Sequence, residues 1–260
     1  MKRFLTIFCI ASVILVASCK SNVNKASEET DQALLDSAEK QNGKSLIIFS
    51  KTNGFRHKSI ANGIKTISSI AEEKGLSVIA TEDSLFFNTE NLDKAKIVVF
   101  LSTTGDILGA AEEKAFENYI QSGGTYLGIH AASDTEFDWP WYGKFVGAYF
   151  DGHPSKPNVR EAKLYKGEPH VTTEHWTDTI TRNDEWYNYK NLNMAVTPTL
   201  FLDETSYEGG RNGEYHPIAW YHNYDGGKVY YTGGGHTEES FDEPGFKEHL
   251  ERAVVWLMEE

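Results

Sequence analysis

Four short apolar runs in this sequence each break off into residues able to do acid–base or ligand chemistry. Residues 126–129 run into His130-Ala131-Ala132-Ser133-Asp134, and residues 46–50 into Lys51-Thr52-Asn53-Gly54-Phe55-Arg56-His57. Residues 97–101 lead to Ser102-Thr103-Thr104-Gly105-Asp106, and residues 229–232 to Gly233-Gly234-Gly235-His236-Thr237. Imidazole titrates near neutral pH and also ligates metals. A histidine held at the carboxyl end of a strand is therefore a candidate acid, base or ligand. If the four runs are parallel strands of one sheet, their loops meet on the edge where open α/β sheets bind ligands. His130, at the end of the most central run, is expected to be catalytic; the alternative is a histidine that only hydrogen-bonds within its turn.

The best carboxylate partner lies in Asp184-Glu185-Trp186-Tyr187. Glu185, beside two aromatic residues, is expected to have a raised pKa and to act as acid or base. Asp134 or Asp106 can complete a carboxylate pair, whereas Asp184 reads as a turn cap. Arg56 suits a carboxylate or a polarised carbonyl, or pairs with one of the many acidic side chains. Aromatic residues are 13% of the chain. Trp and Tyr hold sugars by stacking apolar ring faces and donating hydrogen bonds from their edges. Trp141, Trp186 and Tyr187 are accordingly expected to line a substrate site with Arg56, His57, Asp134, His153 and His236. Core packing is an equal reading for Trp141, Trp186 and Trp220.

The elements that must position these groups follow from periodicity. Residues 46–50, 76–80, 97–101 and 126–129 read as strands. Residues 58–74 and 110–121 carry apolar residues at helical spacing. A short helical turn at 92–95, capped by Asn91, precedes the third strand. The β-α-β-α-β alternation predicts a doubly wound parallel sheet with right-handed crossovers. Beyond His130 the chain becomes rich in Trp, Tyr, Asp and His. Here a helix is expected at 141–149 and strands at 160–165, 169–173 and 194–202. Residues 216–222 and 228–232 form a hairpin pair around Asp225-Gly226-Gly227, and residues 245–258 a closing helix.

The order and spacing of several segments resemble the ThuA-like (trehalose-utilisation) family. They are Phe49-Ser50-Lys51-Thr52, Gly54-Phe55-Arg56-His57, residues 123–134, Trp141-Tyr142, residues 146–150 with His153-Pro154, Asp184-Glu185-Trp186-Tyr187-Asn188, residues 216–222 and Tyr231-Thr232-Gly233-Gly234-Gly235-His236. The likeness spans roughly residues 44–259. It implies a three-layer α/β/α sandwich with a flavodoxin-like, mostly parallel sheet similar to class I glutamine amidotransferases, carrying an aromatic-rich insertion. At the sharp elbow after the fourth strand, where those enzymes place cysteine, this chain has His130, so glutaminase activity is not expected. The resemblance brings His57, His153 and His236 near His130. Such a set, with a carboxylate, could hold Zn or another divalent metal, for instance through His130, His153 and His236, or grip sugar hydroxyls as neutral rings. The implied role is in disaccharide or 3-keto sugar utilisation, with His130 and Glu185 as acid and base; the alternative is a non-catalytic carbohydrate-binding module. Gly233-Gly234-Gly235 lacks the GxGxxG pattern, so NAD is not expected.

The 260-residue chain is long enough for one sizeable α/β domain, and its 40% hydrophobic and 24% charged residues are ordinary for a globular protein. A formal net charge of −13 repels phosphate backbones, making nucleic acid an improbable partner. Residues 1–19 carry a basic head, Lys2 and Arg3, and an apolar run too short to span a membrane stably. Val16-Ala17-Ser18-Cys19 resembles a bacterial lipobox, which makes Cys19 the expected lipidated amino terminus. The expected location is the cell envelope, on the outer membrane facing the periplasm. Residues 20–43 read as a polar tether and 44–260 as the folded domain. With Cys9 in the leader and Cys19 lipidated, the domain has no thiol, which excludes cysteine-nucleophile chemistry. Oligomeric state is not legible.

Overall fold

The computed structural model describes residues 44–259. The expected leader, tether and lipidated Cys19 lie outside the described residues. Among the described residues, eleven strands and five α-helices follow in order: β1 (Ser45–Phe49), α1 (Ile60–Glu73), β2 (Ser77–Thr81), α2 (Thr89–Leu92), β3 (Ala95–Leu101), α3 (Ala110–Gln121), β4 (Thr125–Ile129), α4 (Pro140–Val146), β5 (Tyr149–Phe150), β6 (Val159–Lys166), β7 (Thr179–Glu185), β8 (Tyr189–Lys190), β9 (Thr197–Asp203), β10 (Pro217–Tyr224), β11 (Gly227–Thr232) and α5 (Pro244–Met258).

The main sheet has nine strands in the order β2-β1-β3-β4-β11-β10-β9-β6-β7. β2, β1, β3, β4 and β11 are parallel, the α/β core that the apolar runs predict. β1 and β4 are buried along their whole length, as strands covered on both faces must be. One layer holds α1 and α5, which pack on each other and on the sheet. On the other face the rings of Phe100 and Tyr126 meet Phe116 of α3 and Tyr142 and Phe145 of α4. This is an α/β sandwich. From β11 onward the order β10-β9-β6-β7 continues antiparallel. The β10–β11 hairpin turns at Asp225 and Gly226, both at positive φ (51° and 98°), the geometry of a two-residue hairpin turn.

The polar strand β7, with sequence TITRNDE, carries no apolar signal and was not predicted, although it ends on Glu185. Residues 169–173, expected as a strand, instead make a single 3₁₀ turn at Val171–Thr173. Pro169 has no N–H to offer a ladder, and the His170 side chain accepts from Thr172 N. The helical turn expected at 92–95 lies earlier, as α2, because Asn88 rather than Asn91 caps it, its Oδ1 accepting from Asn91 N at 3.0 Å.

β7 runs in the same direction as β4 but stands five strand steps away. In a flat sheet that is about 24 Å, yet Glu185 Oε2 lies 3.5 Å from His130 Nε2. The antiparallel half therefore curls back until its last strand end meets the carboxyl ends of the parallel strands.

Gly147 caps α4 at φ +102°, and a Cβ there would meet Trp220 Nε1 at 2.3 Å. Trp220 in turn stacks on Tyr231, whose hydroxyl donates to His130 O. Gly147→Ala should lower stability by about 2–4 kcal/mol through combined strain and overpacking; a urea titration with an unchanged m-value checks it.

Candidate active site

His130 follows the last residue of β4 and adopts φ +51°, a left-handed conformation uncommon for a residue with a Cβ. The turn is held from three sides. His130 Nδ1 lies 2.9 Å from Gly233 O, Tyr231 donates to His130 O at 2.7 Å, and the Tyr187 ring packs 4.3 Å away. A carbonyl only accepts, so Nδ1 carries the proton of the neutral ring and Nε2 offers its lone pair. That lone pair points to the strand-end edge, where three loops converge.

The loop after β1 delivers His57. Thr104 anchors it, accepting from Gly54 N and donating to Phe55 O, and Ser59 donates to Gly235 O. His57 is buried edge-on against His130 and His236, at 4.8 and 5.1 Å between ring centres. Burial, then the proximity of the His130 and His236 rings, lowers its pKa to about 2. Its Nδ1 is buried without a hydrogen-bond partner.

The loop after β11 delivers His236, and the end of β7 delivers Glu185. Asp184 holds both. Its Oδ1 accepts from Glu185 N at 2.9 Å and His236 N at 3.0 Å; its Oδ2 accepts from Gly235 N at 2.8 Å and Ser240 Oγ at 3.0 Å. Asn158 donates its amide to Glu185 Oε1 at 2.6 Å and to His236 Nε2 at 3.2 Å. His236 Nε2 thus accepts, and Nδ1 carries a proton toward Glu185 Oε2 at 3.0 Å, which a metal ligated by Nδ1 would displace. Burial pushes the Glu185 pKa up, but the adjacent His130 ring and hydrogen bonds from His236 and Asn158 outweigh it and leave it well below the usual carboxylate range. The expectation of a raised pKa for Glu185 is corrected: the flanking Trp186 and Tyr187 bury it, and the polar contacts decide the sign.

His130 Nε2, His236 Nδ1 and Glu185 Oε2 form a triangle with sides of 3.2, 3.0 and 3.5 Å. Metal–ligand bonds of about 2.0–2.2 Å set neighbouring donors about 3.0–3.5 Å apart. With His57, four ligand atoms lie within 4.8 Å of one another. Two histidines and a carboxylate on one face, plus a neutral, unpartnered imidazole, have the dimensions and chemistry of a divalent-metal site.

The structure sorts the remaining expectations. His153 sits at the rim, outside the four-residue set: its Nδ1 donates to Pro154 O at 2.7 Å and is 3.5 Å from Glu185 Oε1. Asp134 is half-buried nearby, and burial raises its pKa to about 6 against the opposing pull of His130 and His153. Tyr187 is buried against His130 and Phe150. Arg56 points away, pairing with Glu82 at 2.6 Å on the surface. Trp141 stacks on Phe145 and donates to Asp225. Trp186 is fully buried and donates to Arg160 O, and Trp220 donates to Val146 O. Trp186 and Trp220 are thus buried packing residues, whereas Trp141 is half-buried beside the β10–β11 turn and is not in the four-residue set. Asp106 is not in the four-residue set. Asn158 and the holding role of Asp184 had no sequence signal beyond residue type.

The sequence model of the ThuA family, described as trehalose utilisation, matches residues 45–257. Among solved structures, a ThuA-like protein from Bacteroides uniformis superposes with a TM-score of 0.68 at 23% identity, covering 82% of this chain and 90% of that one. A ThuA-like protein from Parabacteroides merdae gives 0.65 at 18%, covering 83% and 89%. A β-galactosidase from Bacillus circulans shares the fold over 84% of this chain but 30% of its own, with a TM-score of 0.54 at 10% identity. No curated protein sequence matches the chain.

His57 gives the site a pH signature. Its folded pKa is depressed from 6.5 to about 2, so the unfolded state binds the extra proton and stability falls as pH drops below about 6.5. His57→Gln should flatten the stability slope between pH 6.5 and 4, read from chemical denaturation at each pH.

Proposed function

The chain belongs to the ThuA (trehalose utilisation) family, and from that membership we propose that it is an enzyme of carbohydrate utilisation acting on a disaccharide or its 3-keto form. The observation that carries the reading is the buried His57–His130–Glu185–His236 cluster at the strand ends, at metal-site spacing. A divalent cation such as Zn held there would polarise a substrate carbonyl or hydroxyl oxygen. Around it the side chains divide the work. Glu185, kept ionised by its hydrogen bonds, balances the positive charge of the site. Asp134, with its pKa raised to about 6, serves as the base that takes a proton beside the carbonyl. Tyr187 packs beneath His130 and against Phe150, and Phe55, 65% exposed and edge-on to His57, offers the ring face for a sugar to stack on.

Turnover of disaccharides and their 3-keto forms, followed by NMR and mass spectrometry with and without added Zn, tests the reading. His130→Ala and Glu185→Ala should each lose about 10²–10⁴-fold in kcat/KM. The wild-type rate should fall below about pH 6, and Asp134→Asn should remove that limb. Saturable sugar binding without product in any metal state would instead establish a non-catalytic binding protein.

The lipobox supports a second element of the proposal: the enzyme is tethered by lipid on Cys19 to the outer membrane, facing the periplasm. Radiolabelled palmitate should enter the wild-type protein, and Cys19→Ala should abolish both label and membrane fractionation.

A further inference from the structure

A cleft of about 480 Å³ opens beside the candidate active site and shares His153 with it; Arg160, Arg211 and Glu208 supply its charged lining. The backbone of Arg160 is fixed within the site's own scaffold. It stands opposite Asp184 in the β6–β7 ladder, and its carbonyl accepts from Trp186 Nε1 at 2.8 Å. Its guanidinium is uncommitted. Arg56, Arg182, Arg211 and Arg252 each have a carboxylate within 4.0 Å, whereas Arg160, among the described residues, has none. Its Nη2 reaches only Ser155 O at 3.4 Å, and its Nε is buried without an acceptor. With 38 acidic against 25 basic residues in the chain, acidic partners are abundant, so an arginine in a cleft without one is set aside for something else. Arg211 is spoken for, donating to Asp151 O and lying 3.7 Å from the Asp151 carboxylate. Glu208 pairs with neither guanidinium.

We propose that this cleft is a subsite for an anionic group on the carbohydrate, a uronate carboxylate or a sulfate ester, received by Arg160. The inference rests on the reading of the adjacent cluster as a carbohydrate site. A guanidinium suits both groups because its planar donors match paired oxygens. The acidic surface repels such ligands at long range, but salt screens that repulsion over about 8 Å, leaving the local arginine to discriminate. Glu208 moderates the cleft's preference.

The test measures affinities of the purified full chain for methyl β-glucuronide, the 6-sulfate of methyl β-glucoside, and methyl β-glucoside, alongside turnover. At least one anionic ligand should bind about tenfold or more tightly than the neutral glucoside, with the margin shrinking in high salt; which one does identifies the group. Arg160→Gln should bring the ratio near one, and Glu208→Gln should raise it about two- to threefold. Equal affinities in the intact protein, or a preference that survives in a folded Arg160→Gln variant, overturn the proposal. If Arg160→Gln does not fold, a ratio unmoved by Glu208→Gln overturns it. Turnover without anion preference defeats the subsite and spares the enzyme; anion preference without turnover of any sugar does the reverse.

Discussion

The site depends on one buried carboxylate. Asp184 has no solvent exposure and accepts four hydrogen bonds, from Glu185 N, His236 N, Gly235 N and Ser240 Oγ, with the Arg182 guanidinium 3.5 Å away. A buried charge survives only when it is fully satisfied, and here the satisfying donors come from the edge strand β7 and from the segment after the central strand β11. Because Oδ1 alone binds the backbones of Glu185 and His236, two donor groups of the cluster are referenced to a single atom. Arg182 is itself braced, donating to Glu243 and lying over the Phe246 ring. The curl of the antiparallel half and the shape of the cluster are thus one constraint, since neither Glu185 nor His236 can move without uncoupling β7 from the loop after β11.

The second constraint is strain at the centre. His130 holds a left-handed backbone, a cost of about 1–2 kcal/mol. Gly233 O fixes its ring and the Tyr231 hydroxyl fixes its carbonyl, so the strain is balanced by contacts from the neighbouring parallel strand. The same contacts set the tautomer. The sharp turn and the ring orientation together present Nε2 to the cluster, which a relaxed strand end could not do.

The parallel half of the fold was legible because its signals are local. β1, β3 and β4 are apolar runs, and α1 and α3 carry apolar residues at helical spacing, so their positions fell within a residue or two. The loops holding His57, His130 and His236 followed from that topology. The antiparallel half was legible only in part. β7 is polar because its ladder partners and Asp184 network, not hydrophobic burial, stabilise it, so no pattern announced the strand that carries Glu185. Trp186 and Trp220 could be read as sugar platforms only while their depth was unknown. Arg56 and Arg160 show the same limit in reverse: which arginine is consumed by a surface carboxylate and which is left in a cleft depends on contacts between residues distant in sequence.

Asp134 and Glu185 show how environment assigns roles to like groups. Both are carboxylates near the same histidines. Burial dominates at Asp134, where no hydrogen bond offsets it, and its pKa rises toward neutrality. At Glu185, burial is outweighed by His130, His236 and Asn158, and the pKa falls. Two carboxyls with pKa values driven apart can divide labour, one staying charged to hold the site together and one exchanging protons in the working pH range. A fold shared with a domain of a β-galactosidase does not settle such chemistry. At this site one loop turns a histidine inward, a strand end supplies a fixed anion, and another loop leaves the Nδ1 of His57 without a hydrogen-bond partner.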